Sequence, residues 1–197
     1  MEPYIAETGI VVPLDRPNVD TDQIIPAVHL KRVERTGFGQ FLFESWRHLQ
    51  NGKPNPDFVL NQPRYKGATI LVTGPNFGSG SSREHAPWAL LDYGFRTIIG
   101  TSFADIFRSN CYQNGMLPVI LPQEIVDQII ENSKTILGYQ VTVDLHQCLV
   151  SDGSDIAATF EIDSFRRECL LRGLDDIGLT LEHEDAIVAY ELARKLT

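Results

Sequence analysis

Cysteine is scarce in this chain of 197 residues, and the scarcity is informative. The three present, Cys111, Cys148 and Cys169, are odd in number, lie 37 and 21 residues apart and include no Cys-x-x-Cys pair. They do not make a disulfide framework. An iron–sulfur centre held by this chain alone would take two thiolates from a short turn, which the spacing does not provide, so the three read as ordinary buried thiols in a reducing compartment. Basic charge is also scarce: 17 Lys and Arg stand against 26 Asp and Glu, a formal net charge of -9. That argues against a nucleic-acid partner. No apolar run approaches the roughly 18 residues of a membrane span, and the opening MEPYIAETG has acids where a targeting leader has bases. The expectation is a cytoplasmic protein with no membrane partner.

What is present is ordinary globular material, 43% hydrophobic and 22% charged, with 15 Gly and 11 Pro. A chain of this length buries roughly 70% of its extended surface on folding, without cross-links. Residues 9–14 (GIVVPL) suggest a first strand, followed by an acidic turn containing Asp20 and Asp22. Residues 29–39 (HLKRVERTGFG) form a locally basic loop, where Lys31, Arg32 and Arg35 face only Glu34. Residues 41–49 read as a brief amphipathic helix, and 51–66, with three prolines, as a surface excursion. The centre alternates: strand 68–73, glycine- and serine-rich loop 74–83, helix 84–93, strand 96–100, helix 103–114, strand 117–121. That is the pattern of an α/β fold with a parallel sheet. Helices over 124–133, 163–172 and 183–195 and strands over 140–144 and 157–162 follow. The last 47 residues carry 11 acids against 5 bases. A solvated helical face is the simple reading of that block, an acidic partner-docking surface the other.

The densest chemistry lies in Asn76-Phe77-Gly78-Ser79-Gly80-Ser81-Ser82-Arg83-Glu84-His85, between a strand and a helix. Glycines there allow a tight turn whose N–H groups can face an anion. It is not a P-loop, which ends Gly-Lys-Ser/Thr, nor a Gly-x-Ser-x-Gly elbow, nor a dinucleotide fingerprint, whose third glycine is replaced by Arg83. Arg83 beside two hydroxyls suits a small carboxylate held by a planar fork. A hydroxyl among converging donors can also become a base toward a carbon-bound proton. The same residues also read as a serine-rich turn capping a helix, with Arg83 in a surface ion pair. His85 is a secondary candidate base, more simply a structural hydrogen-bonder.

The run from Gly80 through Ala86, then Ser102-Phe103-Ala104 and Gly115-Met116-Leu117-Pro118, resembles the mobile swivel domain of the aconitase superfamily. The turn Asp20-Thr21-Asp22-Gln23-Ile24 resembles that domain's other active-site signature, and Thr36-Gly37-Phe38-Gly39 is similar to its free-standing small subunits. Residues 162–171 and 173–181 resemble the C-terminal extension of the bacterial 3-isopropylmalate dehydratase small-subunit family. The resemblance implies a three-layer β/β/α swivelling domain over residues 1–197, with 162–197 as a C-terminal helical extension. It implies a hydro-lyase that interconverts 2-isopropylmalate and 3-isopropylmalate through isopropylmaleate, in leucine biosynthesis. Ser81 would be the catalytic base, with Asp22 a supporting acid; Ser82 and Arg83 would bind substrate, and Lys31 or Arg32 in loop 29–37 would meet a second carboxylate. No metal is implied on this chain, because the family's [4Fe-4S] cluster belongs to the large subunit. The implied partners are that cluster-bearing subunit and a small dicarboxylate, and the chain alone would be inactive. Two rivals remain: a small subunit of a sister enzyme acting on homocitrate, citramalate or a methylated citrate, and a non-catalytic anion-binding module.

Overall fold

Alternating apolar residues bury both faces of the first strand, and the two cores of the molecule form on either side of it. The structure, a computed structural model, describes residues 1–31 and 36–195. Strand β1 (Ala6–Leu14) is followed by the short helices α1 (Thr21–Ile24) and α2 (Glu44–Arg47) and by β2 (Ile70–Thr73), α3 (His85–Tyr93), β3 (Thr97–Gly100), α4 (Asp105–Gln113), β4 (Leu117–Ile120) and α5 (Gln123–Thr135). Then come β5 (Gln140–Asp144), β6 (Leu149–Ser151), β7 (Ala157–Thr159), α6 (Ser164–Arg172), α7 (Asp176–Leu181) and α8 (Glu184–Lys195). The sheet order is β4-β3-β2-β1-β5-β6-β7. β1 changes the sheet's character along its length: Val11–Leu14 pair in parallel with Ile70–Thr73, whereas Ala6–Ile10 pair antiparallel with β5.

Side chains alternate across β1 to β3, as the pleat requires. Val12, Leu14, Leu71 and Ile98 join Ala89 and Leu90 of α3 and Phe107 and Cys111 of α4 in one core. Val11, Ile70, Val72 and Ile99 join Val126 and Ile129 of α5 in the other, which also receives Val141, Val143 and Val150 from the antiparallel strands. Both halves of the sheet therefore close over the second core, giving the layered β/β/α arrangement. Strands buried on both faces read as continuous apolar runs, which is why β2, β3 and β4 were legible.

Three local expectations change. The helix expected over 41–49 is a 3-10 turn, Gly39–Phe41, and then α2, broken at Phe43 with φ 49°. Phe43 is fully buried against Trp46, Phe58 and Phe77, and that packing offsets a left-handed backbone costing about 1–2 kcal/mol. The excursion over 51–66 is no mere surface loop, because it sends Phe58 and Tyr65 into the first core. Strand β6 and helix α7, only three and six residues long, have no counterpart in the sequence reading. Helix α6 docks on the body through fully buried Leu170, whose carbonyl accepts from the Tyr4 N–H at 2.8 Å, and through Arg167, which donates to the Leu145 carbonyl at 3.0 Å.

Candidate active site

Strands β1, β2 and β3 run in parallel, so the loops that leave their carboxyl ends gather on one edge, where open α/β sheets bind ligands. The glycine-rich loop is stitched to its neighbours on both sides. Gly78 N donates to the Val19 carbonyl at 2.8 Å and Thr21 N to the Ser79 carbonyl at 2.9 Å. On the other flank Asn76 N donates to Ser102 Oγ at 2.8 Å and Ala104 N to the Phe77 carbonyl at 3.0 Å. Gly78 is indispensable here: its φ is +78°, and a Cβ would lie 2.2 Å from the Phe107 ring.

This stitching sets Ser81 against Thr21. The two hydroxyls lie 2.9 Å apart, and Thr21 Oγ1 also accepts from the Ser81 backbone N–H at 3.3 Å. With that acceptor position used, the buried Thr21 hydroxyl can turn its own proton toward Ser81 Oγ. Thr21 is held by a capping box, in which Asp20 Oδ1 accepts from Gln23 N at 2.7 Å and Asp20 N donates to Gln23 Oε1 at 2.9 Å. The next residue, Asp22, accepts from Arg83 Nη1 in an ion pair; the Asp22 side chain is 56% exposed and that of Arg83 25%. Ser81 and Ser82 are exposed. Residues some sixty positions apart thus present one hydroxyl paired with a second, buried hydroxyl and one guanidinium fixed by a carboxylate.

The alternative of a mere cap is half true. Arg83 is in an ion pair, but the cap residue of α3 is Glu84, which makes no side-chain capping bond, so neither serine serves that end. Of the other expected residues, Lys31 is exposed at the end of a 3-10 turn, Ala27–Lys31, while Arg32 lies outside the described residues. The two ends of loop 29–37 are tied to the body. His29 stacks on Phe41 with ring centroids 3.7 Å apart and bonds Glu44 Oε2 through Nε2 at 2.6 Å, while beyond the loop Gly39 N donates to Asp92 Oδ2 at 2.7 Å. Sequence reasoning missed both Thr21 and the His29–Glu44 pair. The signal for Thr21 was a hydroxyl between the two aspartates of the acidic turn.

His85 is half-buried, its ring centroid 4.7 Å from that of Trp88 and 5.4 Å from that of Phe38. Burial lowers its pKa below the ordinary histidine value, the Arg83 charge lowers it further, and Glu84 opposes both. A neutral, ring-packed imidazole fits the structural role. The unfolded chain, with a histidine pKa of about 6.5, takes up the proton more readily than the folded one. The stabilisation from neutral His85 is complete above that value and is lost as pH falls through the folded-state pKa. Thermal unfolding followed from about pH 7 to about pH 5 should show a smaller fall in Tm for His85→Phe than for the parent chain. Identical slopes would remove His85 as the cause.

The cysteines do not form a ligand set. Cys111 is fully buried in the first core, where burial pushes its thiol well above the ordinary value; Cys148 packs against the second core, across the sheet. Cys169 sits on α6. Among the described residues no three His, Cys, Asp or Glu side chains are grouped to hold a metal ion, and no helix is long and apolar enough to cross a membrane.

Comparison with known proteins bears on the same regions. The family profile of the aconitase C-terminal domain matches residues 1–124, and the profile of the C-terminal domain of the 3-isopropylmalate dehydratase small subunit matches residues 176–197. The chain is 56% identical over 194 residues to the 3-isopropylmalate dehydratase small subunit of Brevibacillus brevis, covering 98% of this chain and 100% of that protein. It is 58% identical over 193 residues to the protein of the same name from Koribacter versatilis, covering 98% and 99%. A crystal structure described as 3-isopropylmalate dehydratase from Methanocaldococcus jannaschii superimposes with a TM-score of 0.68 at 24% identity, over 95% of this chain and 99% of that one, and shows the shared fold.

Proposed function

The chain belongs to the family of 3-isopropylmalate dehydratase small subunits, and from that membership we propose that it supplies the base and one carboxylate site of an active site completed by a larger, cluster-bearing subunit. The reaction interconverts 2-isopropylmalate and 3-isopropylmalate in leucine biosynthesis, by loss and return of water through isopropylmaleate. In this reading a [4Fe-4S] cluster on the partner would supply the Lewis acidity that loss of the substrate's hydroxyl group needs. The rest falls to this chain. Ser81 Oγ takes the proton from the carbon next to a carboxylate, the carbon's electron pair becomes the double bond, and the same oxygen returns a proton in the reverse direction. Thr21 donates to Ser81 Oγ as it becomes negative. Arg83, steadied by Asp22, grips one substrate carboxylate, and Ser82 adds a donor. Lys31 or Arg32, on the loop that the His29–Glu44 pair anchors, takes the second carboxylate.

The observation that carries this reading is the exposed Ser81 hydroxyl, 2.9 Å from the buried Thr21 hydroxyl and beside a guanidinium held in place. A dry site strengthens the contacts that stabilise a base and a developing charge. An exposed half-site gains that dryness only from a second surface, which supports a two-subunit enzyme. We further assign residues 1–197 to one swivel unit, with 162–197 as its extension, acting in the cytoplasm.

The test mixes the purified chain anaerobically with the cluster-bearing subunit of the same organism and follows the ultraviolet absorbance of isopropylmaleate formed from 3-isopropylmalate. Turnover is expected in the mixture and in neither subunit alone. Activity with homocitrate or citramalate instead would move the substrate, and silence with all of them would overturn the enzymatic role.

A further inference from the structure

The last two helices hold apolar side chains in solvent. Every residue of α8 from Glu184 to Arg194 is exposed, with Tyr190 at 61% and Leu192 at 57%, and Ile177 of α7 is 70% exposed. Helical spacing sets Ala186, Ala189 and Ala193 in one line, with Tyr190 on one side and Leu192 on the other, and Val188 beyond Leu192. A helix of 12 residues is marginal in water by itself, since propagation barely repays nucleation below about 12–15 residues. Protein helices of that length are stabilised by packing one face, whereas every described residue of α8 from Glu184 to Arg194 is exposed.

We propose that α7 and α8 dock on the cluster-bearing large subunit, seating their apolar face in an apolar groove with basic rims; the proposal rests on the family reading above. Charge selects this occupant over a second copy. Six acids stand against two bases between residues 175 and 195, so self-pairing would bring like charges together, whereas a basic rim would neutralise them. Position supports the same partner. Asp175, Asp176 and Ile177 share a cavity of about 310 Å³ with Glu84, the residue directly after Arg83, so the extension starts beside the half-site that must meet the large subunit. Its root is fixed there, because the Met1 ammonium donates to the Gly173 carbonyl at 3.0 Å and lies 3.6 Å from Asp175. The profile of the dehydratase small subunit's own C-terminal domain covers residues 176–197, the same two helices.

Hydrogen exchange on the full chain, free and in the reconstituted complex, tests the docking directly. Amides of residues 184–195 are expected to exchange freely in the isolated chain and at least about tenfold more slowly in the complex. The double variant Val188→Asp, Leu192→Asp should raise the Kd for the large subunit by about 100-fold, with turnover at saturating partner unchanged. Val188→Ile with Leu192→Met should retain the parent affinity. A complex that forms and turns over while these amides stay unprotected, or an unchanged Kd for the aspartate pair, overturns the docking and leaves the catalytic reading intact. Protection that rises with concentration in the isolated chain overturns it in favour of a second copy. Protection in a complex silent toward isopropylmalate and its relatives upholds the docking and removes the catalytic reading.

Discussion

Ser81→Ala is expected to lower the turnover of the reconstituted complex by about a thousandfold or more, with KM and subunit affinity little changed. An unassisted hydroxyl holds its proton almost as tightly as water does, so serine becomes a base only where its anion is stabilised before the substrate arrives. Two groups do that here. The Thr21 hydroxyl lies 2.9 Å away, accepts from the Ser81 N–H and has its own proton to offer, and the Arg83 guanidinium stands two residues on, fixed by Asp22. Alanine at 81 removes the proton acceptor and its hydrogen bond with Thr21, while the turn stays held by backbone bonds and Gly78. Thr21→Val, which keeps the shape but deletes both the donor and the acceptor of the Ser81 N–H, should lower kcat by about a hundredfold. If steady-state absorbance assays give Ser81→Ala near-normal turnover, the base lies elsewhere. Loss of complex formation with either variant would mean that the turn is structural.

How far that site was readable depends on whether its causes are local. Strands β2 to β4 and helices α3 to α5 fall within two residues or so of their expected bounds, because continuous apolar runs and helical spacing are properties of short windows. The pairing of Asp22 with Arg83 and of Thr21 with Ser81 spans about sixty residues and leaves no trace in either window. Resemblance to a family brought Asp22 and Ser81 together on paper, but it assigned Thr21 no role, since a threonine between two aspartates reads as part of a cap. Phe43 shows the opposite failure: its neighbours suggest a helix, and a non-local aromatic cluster overrules them. The charged C-terminal block was read mainly as solvated, which its exposure supports, but composition alone hid the line of alanines and its apolar flanks.

Arg83→Lys carries the second large effect. The guanidinium is a planar fork with five donors, and Asp22 engages only Nη1, so the remaining edge can meet a carboxylate through two parallel bonds. A lysine ammonium at the same place has to divide itself between Asp22 and the substrate. If it stays with Asp22, the substrate loses its grip; if it swings to the substrate, the carboxylate of Asp22 is left beside an incoming dianion. In either case at least one charge-assisted bond of about 1.5–3 kcal/mol is lost, which corresponds to about a 10- to 100-fold rise in KM. The kcat should fall less, because lysine keeps a positive charge near Ser81 and the Thr21 hydroxyl still faces it. Asp22→Asn separates the two consequences: it keeps a hydrogen-bond acceptor for Arg83 and removes the negative charge, so KM should move by less than in Arg83→Lys. Michaelis parameters for both variants, measured with the large subunit in excess, decide the matter. A parental KM for Arg83→Lys would take the carboxylate away from Arg83 and leave its ion pair with Asp22 as a purely structural tie between the two loops.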